Sequence, residues 1–312
     1  MFLLGVLGLY YGANFLIKGS VQIANYFKIS KMVIALTLVA AGTSMPEFFV
    51  TLLGAMKGKP DISVGNVVGS NIANISLVLG LACLVLPFKV KKRTLTTDYP
   101  IVALTTIIFY YFMFDQLLGW WEGLILFTLF FFYLWIHLTI ARKERKLPEE
   151  PLEREMLEME VPQIPVKLMK SFLWVILGIV LLYIASEGLI RSAVFFARIV
   201  GLSERVIGAT LIAVGTSIPE IFTSIIASFK KEEDISLGNV LGSNFLNIAM
   251  VIGLVAFISP LPVAEQVISR EGLVMIGVTL AILPLALFRK FNRFSGVFLL
   301  LLYAGFLYVV FQ

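Results

Sequence analysis

Two glutamates, Glu47 and Glu220, sit in otherwise apolar segments, each one residue after a proline and four after a threonine. Thr43, Ser44 and Glu47 are spaced so that, on a helix, both hydroxyls lie one turn from the carboxylate and on its face. Thr216, Ser217 and Glu220 repeat the pattern. The apolar stretch after each adds a serine and an asparagine four apart, Ser70 with Asn74 and Ser243 with Asn247. Carboxylates, hydroxyls and amide carbonyls together make an all-oxygen donor set, the chemistry of hard cations such as Ca2+ and Na+. No His or Cys lies close enough in these motifs to suggest zinc or copper.

The elements that carry these residues pay heavily for them. A proline inside a helix costs about 3 kcal/mol, and a carboxylate near a bilayer centre about 2.5–3.5 kcal/mol. With Gly42 weakening the turn before Pro46, the helix is predicted to break or bulge around residues 40–46. A break frees backbone carbonyls, which lipid tolerates only where they line a cavity or bind something. Taken singly, most of these residues have ordinary roles. Membrane Ser and Thr bond preceding carbonyls, Gly-x-x-x-G spacing packs helices, and proline kinks are common. An intramembrane glutamate, by contrast, is functional by default.

The chain supports a membrane setting throughout. Of its 312 residues, 59% are hydrophobic and only 14% charged, with a mean hydropathy of +0.94. That excludes a soluble globular domain, whose surface could not be made polar. Apolar runs of about 18 or more residues predict ten spans, near residues 2–17, 31–56, 63–87, 97–114, 119–140, 169–190, 204–229, 236–259, 268–288 and 294–311. The start lacks a positive n-region and reads as a first span rather than a cleaved signal. Cys83 allows no intramolecular disulfide and reads as a buried hydrophobe. The net charge of +5 comes from short loops and suits topology better than nucleic-acid binding. His137, near the end of the fifth span, reads as an interfacial side chain.

Residues 37–87 return as residues 210–260 without a gap. Glu47 to Glu220 and Ser70 to Ser243 are each 173 residues, and roughly half of the ~51 aligned positions are identical. Five spans on each side make each copy odd-numbered, so the second enters the membrane from the opposite side, an inverted repeat. The division is 1–140, a linker 141–167 and 168–312. With the N-terminus outside, the predicted cytoplasmic loops carry 19 of the 25 Lys and Arg, seven of them between Arg142 and Lys170. Both termini outside and a cytoplasmic linker therefore satisfy the positive-inside rule. The linker is too short for a domain. Two inverted copies would bring Glu47 and Glu220 face to face at the midplane, where they balance one Ca2+. Repulsion and desolvation make the empty, doubly charged site unfavourable, a physical basis for obligatory exchange. Gly65, Gly69 and Gly80 let the helix carrying Ser70 and Asn74 pack closely.

The motif pairs GTSMPE with GNVVGSNIANI, and GTSIPE with GNVLGSNFLNI, resemble the two α-repeats of the calcium/cation antiporter superfamily, prokaryotic sodium/calcium exchanger branch. The resemblance covers essentially the whole chain. It implies an all-α membrane protein whose broken helices surround a diamond of four cation sites, one for Ca2+ and others for Na+. It further implies Glu47 and Glu220 as shared carboxylates, with the backbone carbonyls of Thr43 and Thr216 on Ca2+. The Ala40 and Ala213 carbonyls with Ser44, Ser217, Ser70 and Ser243 would line Na+ positions, and Asn74 and Asn247 would stand at the centre. The first helices of the two repeats would slide across the site to alternate access. One departure stands out: Asn247 occupies a position where many exchangers carry Asp, leaving two acidic residues expected in the core.

The expected function is secondary antiport of Na+ against Ca2+ in the cell membrane, with H+/Ca2+ exchange as the alternative. The expected partners are the two ions and the bilayer, with no cofactor, no nucleic acid and no obligate protein partner. A channel would lack counter-ion dependence. An intramembrane enzyme finds no support in an HExxH motif or a paired intramembrane Asp.

Overall fold

The computed structural model describes residues 2–146, 168–199, 213–287 and 290–311. Most of the expected linker, residues 147–167, and the start of the expected seventh span, residues 204–212, lie outside the described residues. The described chain is helical, and its helices sort by what they touch.

Two long helices lie together at one side, α1 (Phe2–Phe27) and, from the second half, the helix Leu168–Ile199. Their contacts run in opposite directions along the chain: Gly5 faces Leu189, Gly12 faces Leu182, and Gly19 faces Ser171 and Val175. A side chain at Gly12 would place its Cβ 2.9 Å from the Leu182 nitrogen. Glycine is required there for the backbones to approach, as in membrane helix pairs generally.

The first expected broken span is two helices, α2 (Lys31–Thr43) and α3 (Met45–Met56), bent by 46° at Ser44. The sequence dictates the break. Pro46 falls in the first turn of α3, where its missing N–H is tolerated, and Ser44 leaves helical geometry at φ −80°, ψ 7°. Within α2, residues Ala35–Val39 form a π-helical turn. Next come α4 (Pro60–Ala73), a π turn Asn74–Val78 and α5 (Leu79–Val85). A π turn Thr94–Asp98 leads into α6 (Tyr99–Phe112), followed by α7 (Trp120–Lys146).

The second half repeats the order after α8 (Leu168–Ile199). A break at Ser217 (φ −85°, ψ 4°) separates α9 (Ala213–Thr216) from α10 (Ile218–Phe229), which again begins with proline in its first turn. Then follow α11 (Glu233–Leu246), a π turn Asn247–Ile252, α12 (Gly253–Ile258), a π turn Val267–Gly272, α13 (Leu273–Leu287) and α14 (Arg293–Phe311).

Two short antiparallel ribbons tie the halves together. β1 (Phe88–Lys89) pairs with β4 (Lys290–Phe291), and β2 (Leu117–Leu118) with β3 (Leu261–Pro262). Adding or subtracting 173 turns the Phe88–Phe291 pair into the Leu261–Leu118 pair.

Among the described residues five helices are long and apolar enough to cross a membrane, and six if α2 and α3 count as one bent span. The spans Ile62–Val85 and Glu233–Ile258 are each 78% buried in their most apolar stretch, against 22% for Trp120–Lys143. The repeated motifs therefore form the centre. Around them, α7 and α8 present exposed Phe131, Trp135, Leu173 and Ile176, the surface a helix offers to lipid rather than water. Cys83 is buried in the core, as its apolar context suggested. His137 is not interfacial: it is fully buried against Asp98, itself fully buried. Among the described residues Asp98 is thus a third buried acidic residue, outside the two motifs.

Candidate cation site

Glu47 and Glu220 are fully buried, each in the first turn of the helix that follows its break. A helix N-terminus with unpaired N–H groups favours an anion there. No Lys, Arg or His of the described residues pairs with either carboxylate. Each is held instead by hydroxyls. Ser44 and Ser243 donate to Glu220 Oε1, both at 3.3 Å, and Ser217 donates to Glu47 Oε1 at 3.5 Å. The serine at each break thus reaches the carboxylate of the other half.

The rest of the polar lining obeys the same exchange of halves. Thr43 Oγ1 lies 3.3 Å from Ser243 Oγ, and Thr216 Oγ1 lies 3.3 Å from Ser70 Oγ. Thr43 donates to Asn239 Oδ1 at 3.0 Å, and Thr216 donates to Asn66 Oδ1 at 3.3 Å. Asn71 Nδ2 donates to the Asn244 carbonyl at 3.1 Å, and Asn244 Nδ2 returns the bond to the Asn71 carbonyl at 3.0 Å. Such reciprocity is the mark of a two-fold-like interface. It depends on close approach: a Cβ at Gly242 would sit 2.7 Å from the Leu36 carbonyl oxygen, so only glycine lets α11 bring Ser243 against Thr43.

The structure brings all the expected side chains into this buried layer. Thr43, Ser44, Glu47, Ser70, Asn74, Thr216, Ser217, Glu220, Ser243 and Asn247 are each at most 3% exposed. Of the backbone groups at the breaks, the Ala40 carbonyl accepts from Ser44 N at 2.9 Å and the Val214 carbonyl from Ser217 N at 3.1 Å. The central asparagines differ from one another. Asn247 Nδ2 donates to Asn71 Oδ1 at 3.1 Å, while neither amide atom of Asn74 has a protein partner.

Asn66, Asn71, Asn239 and Asn244 were not singled out from the sequence. The signal was present, because each pair is identical at the 173-residue offset within a span otherwise rich in small and apolar residues. Asn66 also reaches Thr51 Oγ1 at 3.2 Å, and Asn239 the equivalent Ser224 Oγ at 3.1 Å.

Several buried oxygens are left over: Glu47 Oε2, Glu220 Oε2, Asn74 Oδ1 and Asn247 Oδ1 have no hydrogen-bond partner. An unpaired buried carboxylate costs several kcal/mol, and an unsatisfied buried amide oxygen about 1–3 kcal/mol. Oxygens in this situation suit a cation that replaces its hydration shell with them. Among the described residues no three His, Cys, Asp or Glu side chains gather to hold a metal. The donor set is therefore two carboxylates diluted by neutral oxygens, matched to a hard and exchangeable ion rather than a tightly held transition metal.

Residues 1–139 and 170–312 match the family model described as sodium/calcium exchanger protein. CaxA of Alkalimonas amylolytica is 37% identical over 316 residues, covering 99% of this chain and 97% of that protein. The sodium/calcium exchanger MaX1 of Methanosarcina acetivorans is 30% identical over 339 residues, covering 99% and 97%. Among solved structures, the sodium-calcium exchanger NCX_Mj soaked with 2.5 mM Na+ and 0.1 mM Ca2+ superposes with a TM-score of 0.80 at 31% identity. That match covers 97% of this chain and 95% of NCX_Mj.

Proposed function

Because the chain belongs to the sodium/calcium exchanger family, in its prokaryotic branch, we propose that it exchanges Na+ for Ca2+ across the cell membrane by alternating access. The family is one of transporters rather than enzymes, with the ions as substrates. The observation that carries the reading is the pair of buried carboxylates, each held by the other half's serine and each keeping one unpartnered oxygen. Ca2+ would take Glu47 and Glu220 with the Thr43 and Thr216 backbone carbonyls. Na+ would use Ser44, Ser70, Ser217 and Ser243 with the Ala40 and Ala213 carbonyls, around Asn74 and Asn247. A site emptied of cations leaves two uncompensated charges in low dielectric, so moving it across the membrane empty is unfavourable and exchange becomes obligatory.

The architecture in this reading is ten spans in two inverted five-helix repeats, 1–140 and 168–312, with both termini outside and the linker 141–167 cytoplasmic. The opposed course of α1 and α8, the reciprocal Asn71–Asn244 bonds and the two equivalent ribbons support it. So does the 19-to-6 division of basic residues.

The test is uptake of radioactive Ca2+ into proteoliposomes loaded with Na+, or with a large inert cation instead, each with and without a pH gradient. Uptake should require internal Na+ and ignore the pH gradient. Uptake driven by the pH gradient alone would make the chain an H+/Ca2+ exchanger.

A further inference from the structure

Asp98 and His137 belong to neither cation-binding motif, yet both are fully buried and touch one another. Asp98 ends the π turn before α6; His137 lies on α7, four residues after Tyr133. His137 Nε2 is 3.2 Å from Asp98 Oδ1, and His137 Nδ1 is 2.9 Å from the Tyr133 carbonyl oxygen. Both ring nitrogens therefore face acceptors. A neutral imidazole has one N–H and one lone pair. It can satisfy the carbonyl or the carboxylate, and its lone pair then opposes the other. Both contacts are made only when the pair holds one further proton between Nε2 and Oδ1.

We propose that Asp98 and His137 form a proton-binding site, separate from the cation site, whose occupancy sets the cation affinity through Tyr133. Loss of the proton sets a nitrogen lone pair against an oxygen and releases one of the two contacts of the ring. Tyr133 receives that change directly. Its ring lies 4.1 Å from the imidazole and is stacked on Phe245 at 3.9 Å. Its hydroxyl donates to the Leu36 carbonyl at 3.3 Å. Leu36 belongs to the π turn of α2, one turn before Ala40, and Phe245 stands between Asn244 and Asn247 on the facing element. Among the described residues the other ionisable groups facing the pair are Arg93, whose Nη2 is 3.9 Å from Asp98 Oδ1, and Tyr133 itself.

The site has no twin. At the 173-residue offset, Asp98, Tyr133 and His137 correspond to Glu271, Phe306 and Val310, which provide no imidazole and no hydroxyl. Control by this proton therefore acts from one half of the molecule only.

His137 is the chain's single histidine, so nitrogen-15 NMR of histidine-labelled full-length protein, purified through a histidine-free tag, reads this site alone. With the proton bound both ring nitrogens should show protonated-type shifts, and one should lose them as the pH of the series is raised. In Asp98→Asn that titration should move or vanish. A neutral single tautomer across the range, unchanged in Asp98→Asn, overturns the proposal. The second arm measures Ca2+ binding to the same protein against pH. The half-saturating Ca2+ concentration should change by about five-fold or more across the NMR titration, as a coupled site requires. His137→Gln should abolish that component while keeping any component due to Glu47 and Glu220. Identical profiles for His137→Gln and the parent overturn the coupling even if the proton is present. The binding arm rests on the cation-site reading and the NMR arm does not. Absence of Ca2+ binding at every pH would sink the exchange reading, with the pair still decided by NMR.

Discussion

Glu47 and Glu220 stand in equivalent places, each buried with no Lys, Arg or His of the described residues paired to it; in the proposed function the transported cation balances their charge. Glu47→Gln or Glu220→Gln should abolish Ca2+ transport. The amide removes an unbalanced buried charge, so thermal stability should hold or rise. Transport retained in both variants would sink the site assignment, whatever the stability. Asn247 tests the neighbouring position. Asn247→Asp adds a third charge beside Asn71 and should shift the Na+ and pH dependence of flux more than the melting temperature; an unchanged profile would make the position peripheral. The glutamates were legible in the sequence because an acid beside a proline in an apolar run is too costly to persist without a use. The asparagines Asn66, Asn71, Asn239 and Asn244 were less so, because amides on small-residue faces also serve plain packing. Asp98 and His137 were not legible. They lie 39 residues apart, and an isolated histidine in an apolar span gives no hint of its partner.

At the scale of elements, the breaks at Ser44 and Ser217 follow from proline and glycine chemistry and fall where local sequence puts them. The π turns do not. A run such as Asn74–Val78 changes the helical period for barely one turn, too briefly to mark an apolar pattern already filled on every side. The close crossing of α11 over α2 was also hidden, since it depends on which backbone Gly242 meets. Gly242→Val should cost about 1–3 kcal/mol of stability, the usual penalty for forced overpacking, and should reduce Ca2+ flux more than stability, because the displaced helix carries Ser243. Gly277, with no atom within 4 Å of an added Cβ, is the control; Gly277→Ala should leave both unchanged. Equal losses in the two variants would mean the crossing has no special place in the site.

For the whole molecule, the hydrogen bonds across the halves predict that neither half works alone. Residues 1–146 and 147–312, produced together as separate chains, should restore Ca2+ transport, because the site's contacts run between halves rather than through the linker. Either half alone should give none. Transport by a single half would contradict the shared site. The duplication was legible from the constant offset, and it recurs in the fold as two equivalent ribbons; the inversion, read from the odd number of expected spans and the charge division, belongs to the proposed architecture. Which helices pair across it required the fold.

The serine-to-carboxylate exchange also speaks of descent. A half-length ancestor would have carried a glutamate with no serine to hold it, unless a second copy lay beside it upside down. In the proposed inverted architecture such a chain would have needed to insert in both orientations, and once two copies are joined neither half is held to the other's sequence. The imidazole that one half carries and the other lacks is a difference of that kind.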